Sequence, residues 1–346
     1  MRLSQRTALF GATAPRPQAR FAMDLLDELQ TRILCGDGAI GTLLLEEGIP
    51  LSHCFEELCV TEPERIGKIH QQYIGAGARV IETNTFGANA VRLEKFGAEA
   101  RVAEINRAAA QIAGKTAAGK DVYVAGRVGP LGLSGNEARS RGIDREHCFR
   151  EQIIALLEGG VDLIFFETFM DFEEMEIAFR ARETSGEGLT ICSFACGREG
   201  RLSSRILLVD AFAKLRESGA TLMGVNCMND PHGTVQLLQG IPSDCVLAAY
   251  PTAGSPSFSE GRFIYPTSPD DFAQSARVMA AEGVRLIGGC CGTTPKHVAA
   301  IAAAIENLEP RTRQLERVVT ARPPAQSVPE ARGPKSMPAG IVQRDV

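Results

Sequence analysis

The sequence lacks several features that would assign it to a specialised class of protein. It has no tryptophan and only 4 tyrosines among 346 residues, so it offers few rings for an aromatic cage around a quaternary ammonium ligand. It has no apolar run near the roughly 18 residues that a membrane-spanning helix needs. Its net charge of −5 gives no electrostatic reason for binding nucleic acid or an anionic membrane. We therefore expect neither nucleic acid nor membrane as a partner.

Cysteine, by contrast, is plentiful. The chain contains 10 cysteines, and no secretory signal precedes them. In a long chain without export features, cysteines are more often reduced, catalytic or metal-bound than paired in disulfides. The hydrophobic fraction of 44% and the charged fraction of 23% are those of an ordinary globular protein. We predict a cytoplasmic protein, built either as one large barrel or as two smaller domains.

The two ends of the chain differ in composition from the middle. Residues 1–22 contain Arg, Ala and Pro but no acidic residue, and Met23 begins an amphipathic segment. This composition is typical of a basic targeting peptide or of an unstructured extension. Such an extension would also result if the start codon were assigned too far upstream of Met23. We predict the unstructured extension. Residues 309–346 are rich in Pro and Arg with little apolar periodicity, which predicts a disordered tail. The remaining residues, 23–308, are predicted to form one domain.

Between these ends, a short β-like run recurs eight times, each followed by a polar turn and usually by a helical pattern. Alternating strands and helices predict a parallel sheet. Eight units over roughly 280 residues match a (β/α)8 TIM barrel, which we predict as a single α/β domain. A doubly wound open sheet is the alternative, but no GxGxxG motif follows the first run. The runs are residues 33–37, 80–84, 122–126, 163–167, 189–194, 222–226, 246–250 and 285–289.

Polar residues stand where the predicted strands end. A barrel places its active site at the C-terminal ends of its strands, so residues from distant parts of the chain meet on one rim. We predict the functional site at this rim. The polar and thiol residues at the strand ends are Asp37, Glu82, Thr83, Asn84, Thr85, Glu167, Thr168, Asn226, Cys227, Cys290 and Cys291.

Three of these cysteines predict a metal site. Cys290 and Cys291 are adjacent between glycines, which allow the backbone to turn so that both sulfurs reach one point. Cys227 ends the sixth run and is the natural third ligand. Three thiolates leave a fourth position open, which is the arrangement of a catalytic zinc rather than a closed structural one. The alternative is three buried free cysteines, since cysteine is among the most buried residue types.

Four motifs at the strand ends together resemble the homocysteine S-methyltransferase family. They are Gly36–Thr42, Glu82–Asn89, Gly224–Cys227 and Gly288–Pro295. The sequence is most similar to the homocysteine-binding module of cobalamin-dependent methionine synthase and of bacterial fusions with methylenetetrahydrofolate reductase. The resemblance covers about residues 25–307 of the chain.

The resemblance implies a (β/α)8 barrel that transfers a methyl group to the thiol of homocysteine to form methionine. It implies one zinc ion held by Cys227, Cys290 and Cys291. It also implies that Asp37 and Glu167 bind the substrate ammonium group, and that backbone N–H groups around Gly38, with Thr83 and Thr85, bind its carboxylate. Asn226 completes the predicted substrate-binding set. For Asp37 and Glu167, an Asx turn and a rim salt bridge are the respective structural alternatives.

The methyl donor is left open by the sequence. Betaine is not expected, because Gly87 stands where the betaine enzymes of the family carry an aromatic residue. The motifs favour the cobalamin-linked group, and a chain of 346 residues leaves no room for a cobalamin or folate domain. We therefore predict that methylcobalamin or 5-methyltetrahydrofolate is supplied by another chain. The alternatives are S-methylmethionine as donor, or a non-catalytic zinc-bound barrel that acts as a subunit or sensor.

Overall fold

Strands in this protein form where short hydrophobic runs are buried on both faces, as expected for a parallel sheet covered by helices. The computed structural model describes residues 18–186, 188–241, 246–259 and 262–311. The strands within these residues are β1 (Leu34–Cys35), β2 (Val80–Glu82), β3 (Tyr123–Val128), β4 (Leu163–Phe169), β5 (Leu189–Phe194), β6 (Leu222–Asn226), β7 (Val246–Tyr250), β8 (Ser257–Ser259), β9 (Arg262–Ile264) and β10 (Val284–Ile287).

Eight of these strands form one parallel sheet that closes on itself. Their order is β1-β10-β7-β6-β5-β4-β3-β2. Hydrogen bonds then join the two end strands: the Arg79 N–H donates to Cys35 O at 2.7 Å, and the Asp37 N–H donates to Val80 O at 3.0 Å. This closure confirms the predicted (β/α)8 barrel.

Helices follow the barrel strands and cover the outside of the sheet. The helix after the eighth barrel strand begins at Pro295, since proline fits the first turn of a helix. The helices are α1 (Gln18–Thr31), α2 (Gly41–Glu46), α3 (Leu58–Thr61), α4 (Pro63–Gly75), α5 (Ala90–Leu93), α6 (Val102–Ala117), α7 (Gly135–Ser140), α8 (Arg145–Gly159), α9 (Phe172–Glu183), α10 (Leu208–Glu217), α11 (Pro231–Leu238), α12 (Pro269–Ala281) and α13 (Pro295–Ile305).

The first helix packs against one end of the barrel interior. Leu25 and Leu29 join a buried cluster to which all eight barrel strands contribute side chains. Glu28 accepts hydrogen bonds from Arg79 and from the Tyr123 hydroxyl, each at 3.0 Å. This helix begins at Gln18, inside the predicted extension. The predicted boundary at residue 23 therefore stays a prediction, and residues 1–17 and 312–346 lie outside the described residues.

The opposite end of the interior is polar. Side chains alternate along a strand, so the position two residues beyond an interior apolar residue also faces inward. Those positions carry charged or hydrogen-bonding groups on six strands. The interior therefore changes from an apolar core to a polar floor beneath the C-terminal rim. The floor residues are Glu82, Arg127, Glu167, Ser193, Asn226 and Tyr250.

A small hairpin not predicted from the sequence lies between β7 and α12. Strands β8 and β9 pair antiparallel, and Phe258 faces Phe263 in register with a ring separation of 5.3 Å. Both phenylalanines and Ile264 are exposed. The prediction missed the hairpin because each strand has only three residues and lies in a connection that a barrel pattern leaves as a loop. Among the described residues, no helix has the length and apolar character needed to cross a membrane.

Candidate active site

Three thiols converge at the C-terminal rim of the barrel. The sulfur atoms of Cys227, Cys290 and Cys291 all lie within 4.8 Å of one another. The Cys290 and Cys291 sulfurs are 3.9 Å apart. Tetrahedral zinc with bonds of about 2.3 Å places its sulfur ligands about 3.8 Å apart, so the three thiols fit such an ion with small adjustment. The convergence predicted for these cysteines is present in the structure.

Cys227 reaches this point because the chain turns sharply as it leaves β6. Cys227 and Met228 have φ values of 55° and 48°, in the left-handed region that non-glycine residues rarely adopt. The Cys227 N–H donates to Tyr250 O at 2.9 Å. A left-handed residue of this kind costs on the order of 1–3 kcal/mol and persists only where the surrounding structure requires it. Such strain is common at functional sites.

The Cys290–Cys291 turn is fixed by hydrogen bonds to neighbouring segments. The Gly289 N–H donates to Asp37 O at 2.9 Å, and the Cys290 N–H donates to Pro251 O at 2.8 Å. A Cβ on Gly289 would lie 2.5 Å from a Thr293 side-chain carbon. The sequence predicts that the glycines on both sides of the cysteines permit an unusual turn. At Gly289 the reason is close approach of a neighbour, because its φ is not in the left-handed region.

Hydrogen bonds among the thiols distribute charge unequally. Bonds from the Cys227 and Cys290 thiols lower the pKa of Cys291 to about 3, and the nearby Arg127 guanidinium also lowers it. Bonds with Cys227 and Cys291, together with burial, raise the pKa of Cys290. These hydrogen bonds favour the thiolate at Cys291 and the neutral thiol at Cys290. A divalent cation would be needed to hold all three as thiolates.

Beside the thiols, three buried carboxylates surround one arginine. Asp37, Glu82 and Glu167 are 1%, 4% and 1% exposed. Arg127 Nε lies 3.1 Å from Glu82 Oε2 and also contacts Glu167 Oε1. Asp37 Oδ2 accepts a hydrogen bond of 2.9 Å from the backbone N–H of Glu82. The structure therefore brings together the two predicted ammonium-binding carboxylates, and it adds Glu82 and Arg127 to them.

This cluster has less positive charge than its carboxylates require. Burial raises the pKa of Asp37 to about 8, although a backbone hydrogen bond and Arg127 act in the opposite direction. Burial, followed by the charge of Glu167, raises the pKa of Glu82. Burial likewise raises the pKa of Glu167 against the lowering effect of Arg127. A cationic ligand bound at this rim would stabilise the ionised carboxylates.

Thr83 and Thr85 lie at the rim, but their hydroxyl groups are already engaged. The two hydroxyls are 2.6 Å apart, and both residues are fully buried. Thr83 Oγ1 accepts from the Arg127 N–H at 3.0 Å, and Thr85 Oγ1 donates to Arg127 O at 2.6 Å. Each hydroxyl has one proton to donate, so neither has a donor left for a ligand in this structure. Their predicted role in binding a carboxylate stays a prediction.

Gly38 and Asn226, the two other predicted substrate-binding residues, differ in whether a hydrogen-bond donor is free for a ligand. Among the described residues, the Gly38 N–H has no hydrogen-bond partner, so this predicted donor is available. Asn226 instead joins the ends of three strands. Its amide donates to Thr168 Oγ1 at 2.7 Å and to Glu167 at 3.4 Å, and its oxygen accepts from Ser193 at 2.9 Å. Asn226 therefore holds Glu167 in position.

Two residues of the site were missed in the sequence analysis. Arg127 lies one residue beyond the predicted third run, and β3 in fact extends to Val128, which makes Arg127 an inward-facing strand residue. Tyr265 follows the unpredicted hairpin, and its ring lies against Gly292 beside the cysteine pair. An arginine directly after a predicted strand is a signal that could have been used. Nothing in the local sequence indicates the position of Tyr265.

The fold and the site define a class: a (β/α)8 barrel with a three-thiol site and an acidic rim at the C-terminal ends of its strands. The family model for homocysteine S-methyltransferase matches residues 34–305. The chain belongs to this family, which confirms the resemblance found in its motifs.

Individual relatives agree with this assignment. The chain is 30% identical to the methionine synthase of Mycobacterium tuberculosis over 311 residues, which are 84% of this chain and 26% of that protein. It is 29% identical to the methionine synthase of Mycobacterium leprae, over 93% of this chain and 29% of that protein. The chain thus spans less than a third of the length of these relatives. It also resembles the solved metallated form of the homocysteine methyltransferase MmuM from Escherichia coli, with a TM-score of 0.66 and 28% identity, covering 82% of this chain and 99% of that one.

Proposed function

We propose that this protein transfers a methyl group to the thiol of homocysteine and forms methionine, using zinc bound by Cys227, Cys290 and Cys291. The observation that carries the proposal is the convergence of these three sulfurs within 4.8 Å at an open barrel rim. Family membership supports homocysteine as the methyl acceptor. When bound, zinc supplies a Lewis acid that lowers the pKa of a coordinated thiol and so makes it nucleophilic at neutral pH.

The residues around the thiols orient the acceptor. In the proposal, Asp37 and Glu167 bind the ammonium group, which supplies positive charge that the buried carboxylates lack. The free N–H of Gly38 donates a hydrogen bond to one oxygen of the substrate carboxylate. Thr83 and Thr85 hold the end of β3 through the backbone of Arg127, and either hydroxyl would have to rotate before it contacted a ligand. The substrate sulfur then points toward the three cysteines, where the methyl donor approaches.

The proposed donor is methylcobalamin or 5-methyltetrahydrofolate, supplied by another chain. Similarity to two methionine synthases supports a donor of the kind that those enzymes use. S-methylmethionine is a second candidate. The specific observation in its favour is that the chain covers 99% of a solved homocysteine methyltransferase, so a barrel of this size corresponds to a whole solved chain.

The test is a donor panel with the zinc-loaded protein. Homocysteine is incubated with methylcobalamin, 5-methyltetrahydrofolate or S-methylmethionine, and methionine is measured by mass spectrometry while zinc content is measured on the same sample. We expect turnover with a cobalamin or folate donor. Turnover with S-methylmethionine alone would identify the second candidate. Absence of turnover with every donor, in protein that binds both zinc and homocysteine, would overturn the proposal in favour of a non-catalytic barrel.

A further inference from the structure

Arg127 is the cation at the centre of the acidic rim, and its backbone is held firmly. Its N–H donates to Thr83 Oγ1 at 3.0 Å, and its carbonyl accepts from Thr85 Oγ1 at 2.6 Å. Its guanidinium carbon lies 5.3 Å from the centre of the Phe86 ring, within the range of a cation–π contact. These contacts hold the backbone of Arg127 and place its guanidinium against the Phe86 ring, near enough to Cys290 and Cys291 to interact with their charge.

The guanidinium uses only one of its nitrogen atoms within the cluster. Nε contacts both Glu82 and Glu167. Among the described residues, Nη1 and Nη2 have no hydrogen-bond partner. The Arg127 side chain is 15% exposed, whereas those of Glu82 and Glu167 are 5% and 2% exposed. Of these three side chains, that of Arg127 is therefore the one most accessible to a ligand.

The floor also holds an acceptor without a donor. Glu82 Oε1 is buried and has no hydrogen-bond partner among the described residues. Leaving such an atom unpaired is unfavourable, and more so when the group is charged. Among the described residues, Arg127 thus has two unpartnered guanidinium nitrogens, and Glu82, whose other oxygen lies 3.1 Å from Arg127 Nε, has an unpartnered carboxyl oxygen. An α-amino acid carries the complementary pair, a carboxylate and an ammonium on one carbon atom.

We propose that Arg127 binds the carboxylate of the amino-acid substrate through Nη1 and Nη2, while Glu82 Oε1 accepts a hydrogen bond from the ammonium. This assignment rests on the proposed function and identifies how the acceptor is selected. Planar guanidinium groups bind carboxylates through two parallel hydrogen bonds, a geometry that a point charge cannot provide. The salt bridges from Nε to Glu82 and Glu167 restrict rotation of the guanidinium.

Calorimetric binding to zinc-loaded protein tests the assignment without relying on activity. The ligands are homocysteine, 3-aminopropane-1-thiol, which lacks the carboxylate, and 4-mercaptobutanoate, which lacks the ammonium. Wild type is expected to bind homocysteine roughly 10- to 100-fold more tightly than the aminothiol, as charge-assisted hydrogen bonds predict. In Arg127→Gln that ratio is expected to fall below about threefold. In Glu82→Gln, homocysteine and the aminothiol are expected to weaken while 4-mercaptobutanoate does not.

Arg92→Gln is the matched control. Arg92 lies 5.1 Å from the same Phe86 ring and donates to Pro130 O, and it makes no salt bridge to the rim carboxylates. We expect this variant to keep the wild-type ratio between homocysteine and the aminothiol.

Two outcomes would overturn the assignment of Arg127. One is that Arg127→Gln weakens homocysteine and the aminothiol equally, which is the effect of a structural role. The other is that the variant binds homocysteine more tightly, which would mean that Arg127 occupies the ammonium position. The wild-type protein tests the assignment of Arg127 even if a variant does not fold. If wild type binds homocysteine and the aminothiol equally tightly, the assignment is overturned. Failure of wild type to bind homocysteine at all would overturn the proposed function itself.

Discussion

The ring of Tyr265 lies directly against the backbone of Gly292, so closely that a Cβ on Gly292 would come within 2.2 Å of two ring carbons. Gly292 also has a φ of 79°, in the left-handed region that favours glycine. Tyr265 follows the β8–β9 hairpin, and Gly292 follows the cysteine pair. The contact therefore ties the hairpin connection to the loop that carries two of the three thiols. Burial, and then the charges of Cys291, Cys290 and Cys227, raise the pKa of Tyr265 to about 12.

Gly292→Ala is expected to disturb this loop in two ways. The new methyl group clashes with the Tyr265 ring, and alanine resists the left-handed backbone. Together these effects should reduce the free energy of unfolding by about 2–4 kcal/mol and weaken zinc binding by displacing the cysteine pair. Urea unfolding and competition with a zinc chelator measure the two effects separately.

Gly142→Ala separates the clash from the backbone strain. Gly142 has a φ of 64°, and a Cβ added to it would meet no atom within 4 Å. This variant should cost only about 1 kcal/mol and leave zinc affinity unchanged. If both variants lose the same stability and both retain zinc affinity, the Tyr265 contact has no role in holding the loop.

Cys290→Ala tests the assignment of the metal ligands. Cys290 is 5% exposed and lies at the convergence point of the three sulfurs, so its removal leaves two thiols for the ion. We expect the variant to lose zinc and activity together while its circular dichroism stays that of a folded barrel. Cys148→Ala is the control, since Cys148 is also buried but lies on α8 away from the rim. Full zinc occupancy of Cys290→Ala, measured by elemental analysis, would contradict the ligand assignment.

The barrel is predictable from sequence because each of its strands is a short hydrophobic run, and most of these runs carry polar residues at one end. Asp37 and Glu167 stand far apart in the chain, yet the barrel topology alone brings them to one rim. Cys227 and the Cys290–Cys291 pair are predictable for the same reason, since chain direction places the ends of strands together. These predictions depend only on which strand ends lie at the same rim of the barrel. The positions of the strand ends can be read from the hydrophobic periodicity of the sequence.

Side-chain contacts across the rim cannot be predicted from the hydrophobic pattern of the sequence. Nothing in the hydrophobic pattern tells whether Arg127 pairs with Glu82, with Glu167 or with both. The engagement of Thr83 and Thr85 by the Arg127 backbone depends on the register between β2 and β3, where a shift of one residue would turn each side chain to the other face. The position of Tyr265 depends on a hairpin that closes through only three residues on each side. Such features arise from side-chain geometry rather than from periodicity.

Asn226→Asp should disrupt the acidic rim without changing the size of the side chain. The amide of Asn226 donates to Thr168 and Glu167, and an aspartate would remove both donors and place a fourth carboxylate beside Glu167. We expect a loss of about 2–4 kcal/mol in the free energy of unfolding above pH 8, where the carboxyl group of Asp37 is ionised, and a smaller loss as the pH is lowered and the rim carboxylates become protonated. Thermal unfolding at several pH values measures this difference.

Asn229→Asp is the matched control for that change. Asn229 is also buried and donates to Cys196 O at 2.8 Å, but no rim carboxylate accepts a hydrogen bond from it. This variant also loses a donor and gains a buried carboxylate, but at a position that is not hydrogen-bonded to a rim carboxylate. A stability loss equal to that of Asn226→Asp would show that repulsion within the acidic rim does not account for the effect.

The acid stability of this protein depends in part on a histidine outside the site. His70 on α4 is fully buried, and neither ring nitrogen has a hydrogen-bond partner among the described residues. Burial lowers the pKa of His70 from 6.5 to about 4. Below pH 6.5 the unfolded chain therefore binds a proton that the folded chain does not, and stability falls as the pH is lowered toward 4. The loss attributable to this residue is about 3 kcal/mol at most, and it does not grow once the pH is below the pKa of the folded state. His70→Leu should remove that dependence, whereas substitution of the exposed His53 by Gln should leave it. Urea unfolding of the three proteins from neutral pH down to about pH 4 measures the slopes, and an unchanged slope in His70→Leu would show that His70 is not the group responsible.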